Sequence, residues 1–312
     1  MSAPSNNFFA GVEVAPSLMR AAVVSAGGEV VARREAPYQP DAFISDLAAL
    51  VSTLREAGHI QCVGLAVPGL VNRDADRVLL STGMPSFVGA DLHTELTKAI
   101  GTKLELENDA NAAAYGELKA GAARDALDFF YIYIGDNVGG AFIVDGKLWT
   151  GASGCAGEIG HTMINPDGIQ CECGNIGCLE TVASAPNIAR RARERLNRDS
   201  TSSLSRLAIH DDFTAADLAH EATNGDDFSI MMIERTGKFI GTAVSGIINL
   251  LSPQLIVLGG AVMDAGELIL APIMKEAGKR SFQPCFESTK IVAGELGVDA
   301  VSVGAALLAR DT

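Results

Sequence analysis

The spacing of apolar residues predicts that the chain opens with a meander of three β-strands. Strands are expected at 9–14, 18–25 and 29–35, where residues are apolar or alternate between apolar and polar. Pro16-Ser17 and Gly27-Gly28 stand between these runs, and both pairs favour turns. The three segments are therefore predicted to follow one another as neighbouring antiparallel strands.

Helical and strand patterns alternate after the meander. A helix is predicted over 41–57, with Asp41 as its N-cap. Its apolar stripe consists of Phe43, Ile44, Leu47, Leu50, Val51 and Leu54. The further predicted elements are a buried strand at 62–67, a helix at 91–100, a strand at 104–106 and a helix that begins near Asp109. This alternation is typical of an α/β lobe.

The second half of the chain begins in the same way. Strands are predicted at 129–134 and 139–144, and Asp145-Gly146 is a hairpin turn into a third strand at 147–149. The later predicted elements are helices at 185–196, 214–222, 226–251 and 302–310 and a strand at 255–258. Since both halves open on a meander, the pattern indicates a structural repeat.

One uncharged stretch, 239–263, is long enough to span a bilayer by length alone. Asn249 interrupts it, and Ser252-Pro253-Gln254 would break a helix. We therefore predict a buried helix followed by a core strand, with no membrane partner. The first residues show no basic start followed by an apolar run and a cleavage site, so a cytoplasmic location is expected.

Length and charge narrow the class of protein. A chain of 312 residues exceeds the usual size of one compact core, so two domains that share a cleft are expected. The predicted lobes are 1–120, joined by a C-terminal helix at about 300–312, and 121–299. The formal net charge of −14 and the absence of a basic stripe argue against direct contact with nucleic acid.

The cysteines point to a metal. Three of the six lie within eight residues as Cys171-x-Cys173-x4-Cys178, and His161 precedes them by ten positions. One imidazole and three thiolates suit Zn²⁺, and four protein ligands leave no position for water, so a structural zinc is predicted. Gly174 and Gly177 allow the turns that direct the thiolates to one centre. Cys62, Cys155 and Cys285 are interpreted as packing residues.

A specific motif combines these ligands with carboxylates. Glu158-x-Gly160-His161, followed by Cys171-x-Cys173-Gly174-x-x-Gly177-Cys178-x-Glu180, closely resembles the signature of the ROK family, which comprises repressors, open reading frames and kinases. The resemblance covers nearly the whole chain. Further matching segments are Val67-Pro68-Gly69, Glu107-Asn108-Asp109-Ala110-Asn111-Ala112 and Val257-Leu258-Gly259-Gly260.

The resemblance implies an actin-like, hexokinase-type (ribonuclease H-like) fold of two α/β lobes and an expected homodimer. It implies that a sugar is bound by Gly69, Asn108, Asp109, Glu158, His161 and Glu180. Asp109 would accept the proton of the attacking hydroxyl, and His161 would bind zinc through one ring nitrogen and the sugar through the other. Taken alone, Asp109 reads as the N-cap of a helix, and Asn111 is ambiguous, because an asparagine in a first helical turn often bonds only backbone.

The phosphate-binding segments depart from the family pattern. The resemblance places Glu13, Ser17, Gly135, Gly139, Gly259 and Gly260 on the nucleotide. Where such kinases have Asp-x-Gly-Gly-Thr, this chain has Glu13-Val14-Ala15-Pro16-Ser17, so Ala15 adds a Cβ and Pro16 removes an N–H. In the second loop Asp136 replaces a hydroxyl residue. The asparagine usual in the sugar-side loop is replaced by Gly83.

Two hypotheses follow from these observations. The first is an ATP-dependent kinase of glucose, fructose or an N-acetylhexosamine, which would use Mg-ATP. The second is a sugar-binding or sensor protein of weak or absent activity, which has kept the pocket and the zinc but lost its grip on phosphate. A repressor that reads DNA itself would need a basic recognition module, which the sequence lacks.

Overall fold

The computed structural model describes residues 7–72, 77–81, 84–89, 91–196, 201–206 and 213–312. Contacts divide the chain into two compact units. Unit 1 comprises the chain up to Ala126 together with Ala141–Ala156 and Glu295–Thr312, and unit 2 comprises Leu127–Gly140 and Gly157–Gly294. The domain boundaries predicted from the sequence are 1–120 together with about 300–312 for one lobe and 121–299 for the other. These boundaries remain a prediction.

Unit 1 contains a five-stranded mixed sheet. Its strands are β1 (Asn7–Val14), β2 (Leu18–Val24), β3 (Val30–Pro37), β4 (His59–Val67) and β7 (Lys103–Asn108), and β5 (Leu70–Asn72) pairs with β6 (Arg77–Leu80) in a separate hairpin. The order across the sheet is β3-β2-β1-β4-β7. The first three strands are antiparallel, which confirms the meander, and β4 and β7 continue parallel to β1.

Helices cover both faces of this sheet. They are α1 (Phe43–Leu54), α2 (Leu92–Ile100), α3 (Asp109–Ala120) and the closing helix α10 (Ala300–Asp311). On one face, the predicted stripe of α1 packs with Val12, Val63 and Leu65 of the sheet. On the other, Phe9 and Val24 pack with Val303 and Leu307 of α10. Cys62 is buried in that second cluster, which agrees with its interpretation as a packing residue.

The predicted N-cap of the first helix was wrong. Asp41 lies inside a 3-10 turn, Pro40–Ala42, and α1 starts after it with Ala42 at its N-cap position and no side-chain hydrogen bond there. Pro40 fixes the backbone for the tighter turn. The side chain of Asp46 reaches back instead, and its Oδ2 accepts a hydrogen bond of 2.9 Å from the N–H of Gln39.

The second sheet repeats the order of the first. Its strands are β8 (Phe129–Ile134), β9 (Val138–Val144), β10 (Lys147–Trp149), β11 (Leu255–Gly259) and β12 (Lys290–Ala293), in the order β10-β9-β8-β11-β12. β11 runs parallel to both β8 and β12. A meander followed by two parallel strands therefore occurs twice, as the sequence pattern indicated.

The remaining helices belong to unit 2. They are α4 (Glu180–Ala183), α5 (Ala185–Leu196), α6 (Ala215–Thr223), α7 (Asp227–Leu251), α8 (Glu267–Arg280) and α9 (Gln283–Ser288). Within the uncharged stretch, α7 ends at Leu251 and the strand β11 begins at Leu255, as predicted. None of the described helices is long and apolar enough to cross a membrane. The sequence pattern missed α8, which contains Pro272, and the short elements α9 and β12.

Close backbone contact between α3 and α10 makes a stability prediction possible. A Cβ added at Gly304 of α10 would lie 1.7 Å from the carbonyl oxygen of Ala112 in α3. Since the obstacle is backbone, Gly304→Ala is expected to lower the free energy of unfolding by about 2 kcal/mol or more. Chemical denaturation measures this. The matched control is Gly246→Ala in α7, where nothing lies within 4 Å, and it should leave stability equal or slightly higher.

Candidate functional site

In unit 1, three parallel strands bring the predicted site residues to one edge of the sheet. Glu13 pairs in register with Ala66, and Val67 pairs with Asn108. The segments that follow β1, β4 and β7 therefore leave the sheet together, at its carboxyl edge. In α/β sheets this edge is where ligands bind. The structure thus gathers Glu13, Gly69, Asn108 and Asp109, which lie far apart in the sequence.

Asn108, and not Asp109, is the N-cap of α3. The Asn108 Oδ1 accepts a hydrogen bond of 3.0 Å from the N–H of Asn111, and its Nδ2 donates to the carbonyl of Gly69 at 2.9 Å. The interpretation of Asp109 as the N-cap was therefore wrong. Asp109 is the first helical residue, 8% exposed, and its Oδ1 accepts a hydrogen bond of 2.8 Å from the N–H of Ala110.

A buried carboxylate supports these two residues from behind. Glu107 is 2% exposed, and its Oε1 accepts from the N–H of Asn108 at 2.9 Å and from the Nδ2 of Asn111 at 3.0 Å. The Asn111 side chain thus bonds a side chain, which resolves its ambiguity. Since charge-assisted hydrogen bonds are the stronger kind, this pair of bonds fixes the start of α3 and the direction of its first residues.

The first phosphate-side segment is a tight turn with an ion pair at its base. The N–H of Ala15 donates to the carbonyl of Leu18 at 3.0 Å, and Pro16 has no N–H to offer. Glu13 is buried, and its Oε2 lies 3.5 Å from Nη1 of Arg20, the cross-strand neighbour of Glu13 on β2. The acidic group at this position is therefore partly neutralised by the protein itself. Ser17 lies exposed in the same turn.

Tyr38, the residue directly after β3, holds this turn. Its hydroxyl donates to the carbonyl of Ala15 at 3.0 Å, and its ring packs edge-on against Phe43. Burial raises the pKa of Tyr38, so the hydroxyl keeps its proton and its donor role across the physiological range. The turn at Ala15 is therefore fixed by a side chain of the protein.

Unit 2 gathers the remaining nucleotide-side residues at the carboxyl ends of β8 and β11. Gly259 pairs in register with Tyr133, two residues before Gly135. The backbone of Gly260 lies against Ile134, since a Cβ at Gly260 would be 2.4 Å from the Ile134 carbonyl oxygen. Gly139 lies in β9, which begins directly after the loop. The two predicted phosphate segments of unit 2 are thus neighbours.

His161 and the three cysteines form one compact cluster. Their ligand atoms all lie within 4.8 Å of one another. Nδ1 of His161 is 3.6 Å from Sγ of Cys171, and Sγ of Cys173 is 3.7 Å from Sγ of Cys178. Tetrahedral zinc with Zn–S of about 2.3 Å and Zn–N of about 2.05 Å requires edges of about 3.8 Å between sulfurs and about 3.6 Å between nitrogen and sulfur. The four residues fit a tetrahedral zinc ion.

The thiols of this cluster differ in acidity. Burial and the neighbouring thiols raise the pKa of Cys178 to about 12, and burial also raises that of Cys171. At the exposed Cys173, burial raises the pKa, but the N–H of Asn175 and the other thiols outweigh it, so its pKa is lowered. Without a cation the three cannot all be thiolates near neutral pH. A bound metal supplies the charge that stabilises them.

Backbone turns direct these ligands. The N–H of Cys171 donates to Asn175 at 2.7 Å, which closes the turn that carries Cys173. Gly177 has a φ of 72°, and a Cβ there would lie 1.7 Å from the carbonyl oxygen of Asn165. Only glycine fits this conformation and this contact. The loop therefore aims its thiols by backbone geometry before any metal arrives.

The predicted sugar residues of unit 2 lie close to the cluster residues in the sequence, on either side of them. Glu158 directly precedes the 3-10 turn Ile159–His161, and its carbonyl accepts from the N–H of His161 at 3.1 Å. Nδ1 of His161 faces the thiols, so Nε2 is the ring nitrogen that is not directed at the cluster. Glu180 begins α4, two residues after Cys178. Its Oε2 accepts a hydrogen bond of 3.0 Å from the N–H of Val138.

Sequence reasoning missed Arg20, Tyr38 and the contact between Glu180 and Val138. The first could have been found, because a hairpin turn at Pro16-Ser17 pairs residues at equal distances from it, which sets Arg20 opposite Glu13. The Tyr38 contact with Ala15 and the Glu180 contact with Val138 each join segments that are distant in sequence, and no local sequence pattern indicates such contacts. Gly83, whose replacement of an asparagine was noted, lies outside the described residues.

Replacing one thiol tests the metal site. Cys173→Ser is expected to remove bound zinc and lower the melting temperature, because a hydroxyl is a poor substitute for a thiolate ligand. Metal content by mass spectrometry and thermal unfolding measure this. Cys285→Ser, at a half-buried thiol outside the cluster, should keep a full equivalent of metal. Equal zinc content in both variants would refute the site.

Comparison with known proteins agrees with this geometry. The chain is 32% identical to the glucokinase of Halalkalibacterium halodurans over 98% of its own length and 96% of that protein, and 32% identical to the N-acetylmannosamine kinase of Escherichia coli O157:H7 over 96% and 97%. The fold matches a ROK family glucokinase from Streptomyces griseus, solved with glucose and AMPPNP, at a TM-score of 0.89 and 28% identity over 98% of this chain and all of that one. With residues 9–312 matching the ROK family profile, the chain belongs to the ROK family.

Proposed function

We propose that the protein phosphorylates a hexose with ATP and that Asp109 is the general base. The observation that carries this proposal is the placement of Asp109. It lies at the carboxyl edge of the parallel strands β1, β4 and β7, at the start of α3, next to an Asn108 whose side chain is hydrogen-bonded at both of its polar atoms. The kinase names of the ROK relatives support the same class of reaction.

In the proposed reaction, a hydroxyl oxygen of the sugar forms a bond to the γ-phosphorus of ATP while the bond to the bridging oxygen breaks, and ADP leaves. Asp109 accepts the hydroxyl proton. Asn108, Glu158, His161 and Glu180 bind sugar hydroxyls, and Gly69 holds the Asn108 amide in place. Mg²⁺ carried by ATP supplies charge neutralisation at the phosphates.

The zinc we assign to the cluster is structural. Four protein ligands complete a tetrahedron and leave no position for water or substrate. Coordination through Nδ1 would fix the ring of His161 and its tautomer, so Nε2 can meet a sugar hydroxyl in a defined direction. The metal therefore serves sugar recognition through geometry.

Two candidate sugars come from the relatives. Glucose is supported by the glucokinases and N-acetylmannosamine by the kinase from Escherichia coli O157:H7. We further propose a cytoplasmic homodimer without direct contact to nucleic acid, in keeping with the net charge of −14, which repels phosphate backbones.

The alternative, a sugar-binding protein of weak or absent activity, is favoured by one observation in each phosphate-side segment. The turn after β1 is closed by the protein's own groups: the Ala15 N–H is bonded within the turn, and Glu13 is paired with Arg20. In the second loop, the exposed Asp136 places a carboxylate beside the glycines. At about 5 Å from a phosphate charge this costs roughly 3 kcal/mol at an effective dielectric of about 20, or about two decades of affinity.

Asp109→Asn separates the two functions. If Asp109 is the general base, the turnover number for sugar-dependent ADP release should fall by about 10²- to 10⁴-fold, while sugar affinity stays within severalfold. A coupled assay with Mg-ATP and a panel of hexoses, together with calorimetry, measures both. Asp125→Asn, at an exposed carboxylate of unit 1, is the control and should be unaffected. Sugar binding without turnover in the unmodified protein would instead establish the sensor.

Asp136→Thr tests the second phosphate loop. Removing the carboxylate and restoring a hydroxyl should lower the KM for Mg-ATP by at least about tenfold, with a smaller effect at high ionic strength, because the repulsion is partly screened at an exposed site. Steady-state kinetics at two salt concentrations provide the measurement. An unchanged KM at low salt would mean that Asp136 lies away from the bound phosphates.

A further inference from the structure

The carboxylate of Glu180 connects two segments that the family pattern assigns to different ligands. Glu180 is a sugar residue by its place in the motif, yet its Oε2 accepts the 3.0 Å hydrogen bond from the N–H of Val138. Val138 is the first residue of β9 and lies in the nucleotide-side loop 135–140, a name used here for the turn 135–137 together with the start of β9. An ionised acceptor makes this bond stronger than one between neutral groups. The loop is therefore held by a residue outside it.

The same short segment of chain holds the loop at its other end. The N–H of Ala185, the first residue of α5, donates to the carbonyl of Gly135 at 2.7 Å. Glu180 begins α4, and Ala185 follows the last residue of α4, Ala183, by two positions. The loop is thus bonded at two points to the short segment 180–185, which starts two residues after Cys178.

The His161 motif contacts Val138 from another direction. A Cβ added at Gly160 would lie 1.9 Å from the carbonyl oxygen of Val138, so the two backbones pack directly against each other. The N–H of Val138 therefore donates to Glu180, and the carbonyl of Val138 packs against Gly160, the residue before His161. Both sugar-side motifs of unit 2 contact this one residue of the loop.

Side chains of α5 keep α4 in position. Asn187 Nδ2 donates to the carbonyl of Glu180 at 3.1 Å, Arg190 Nη2 to that of Thr181 at 3.0 Å, and Arg191 Nη1 to that of Val182 at 2.7 Å. Arg191 is 8% exposed, and burial together with nearby arginines lowers its pKa to about 10. These three bonds fix the backbone of α4, so Glu180 reaches Val138 from a defined position.

We propose that Glu180 is a positioning residue for the loop 135–140, and that a sugar bound at Glu180 orders this loop for the phosphoryl donor. The second half of this proposal rests on the proposed function, since it takes Glu180 as a sugar contact. A sugar hydroxyl that donates to Oε1 fixes the carboxylate, and Oε2 then holds the Val138 N–H more persistently. Because a pre-ordered loop costs less entropy to bind phosphate, sugar and donor bind with positive coupling.

Hydrogen exchange on the ligand-free protein tests the anchor. Glu180→Ala removes the acceptor, so exchange of the amide at 138 should speed up by about tenfold, the effect of one lost hydrogen bond of about 1.4 kcal/mol. Glu180→Gln keeps an amide oxygen that can accept the bond, and its exchange should stay within about threefold of the unmodified protein. Glu172→Ala, at an exposed carboxylate of the metal loop, is the control.

The pair of variants separates anchoring from sugar recognition. Both should weaken sugar binding, because both remove a charged acceptor, but only Glu180→Ala should loosen the loop. Equal loop exchange in Glu180→Ala and the unmodified protein would overturn the proposal. If Glu180→Ala does not fold, Glu180→Asp shortens the side chain by one methylene and withdraws the acceptor from the Val138 N–H, and unchanged exchange in that variant would likewise overturn the proposal.

A second measurement tests the coupling. Saturating glucose or N-acetylmannosamine should slow exchange across 135–140 and raise the affinity for AMPPNP by about threefold or more in the unmodified protein, and neither effect should occur in Glu180→Ala at sugar saturation. If sugar binds and both quantities stay constant, the coupling is wrong. If no sugar of the panel binds, the proposed function fails, and the ligand-free exchange still decides whether Glu180 anchors the loop.

Discussion

Parallel pairing of the central strands is the constraint on which the rest of the structure depends. β4 runs parallel to both β1 and β7, and β11 runs parallel to both β8 and β12. Because each crossover returns the chain to the same end of the sheet, the segments that follow these strands collect at one edge in each unit. Asp109 can lie there 8% exposed because the start of α3 supplies a polar partner, the N–H of Ala110.

The metal cluster obeys a second constraint, which is electrostatic. Two of its thiols, Cys171 and Cys178, are buried in surroundings that raise their pKa values, so the protein alone disfavours the thiolates that a metal needs. Backbone turns nevertheless bring the four ligand atoms within 4.8 Å of one another, and the His161–Cys171 and Cys173–Cys178 separations match the edges of a zinc tetrahedron. A bound metal ion would therefore stabilise the thiolate forms that burial disfavours.

The sequence was sufficient for most of the fold, because its regular elements have strong periodicity. The meanders, the stripe of α1 and the identity of the four clustered candidate ligands all follow from local spacing. What local spacing cannot decide is which of two adjacent polar residues takes a given role. Asn108 and Asp109 both suit an N-cap, and the choice fell to Asn108 because the carbonyl of Gly69, thirty-nine residues away, holds its amide. The contact of Glu180 with Val138 is equally remote in sequence.

The sugar side and the phosphate side of the proposed reaction differ in how many of their N–H donors are already hydrogen-bonded within the protein. On the sugar side, the Asn108 amide donates one hydrogen to the carbonyl of Gly69, and its second hydrogen can be donated to a ligand. On the phosphate side, the N–H groups of Ala15 and Val138 are already bonded, and Pro16 has none. Releasing each bonded N–H to a phosphate gains little, since one hydrogen bond replaces another at a net difference of about 1 kcal/mol. In the proposed reaction, donor affinity therefore comes mainly from the charge of Mg²⁺, because the guanidinium of Arg20 is already paired with Glu13 at the base of the first turn.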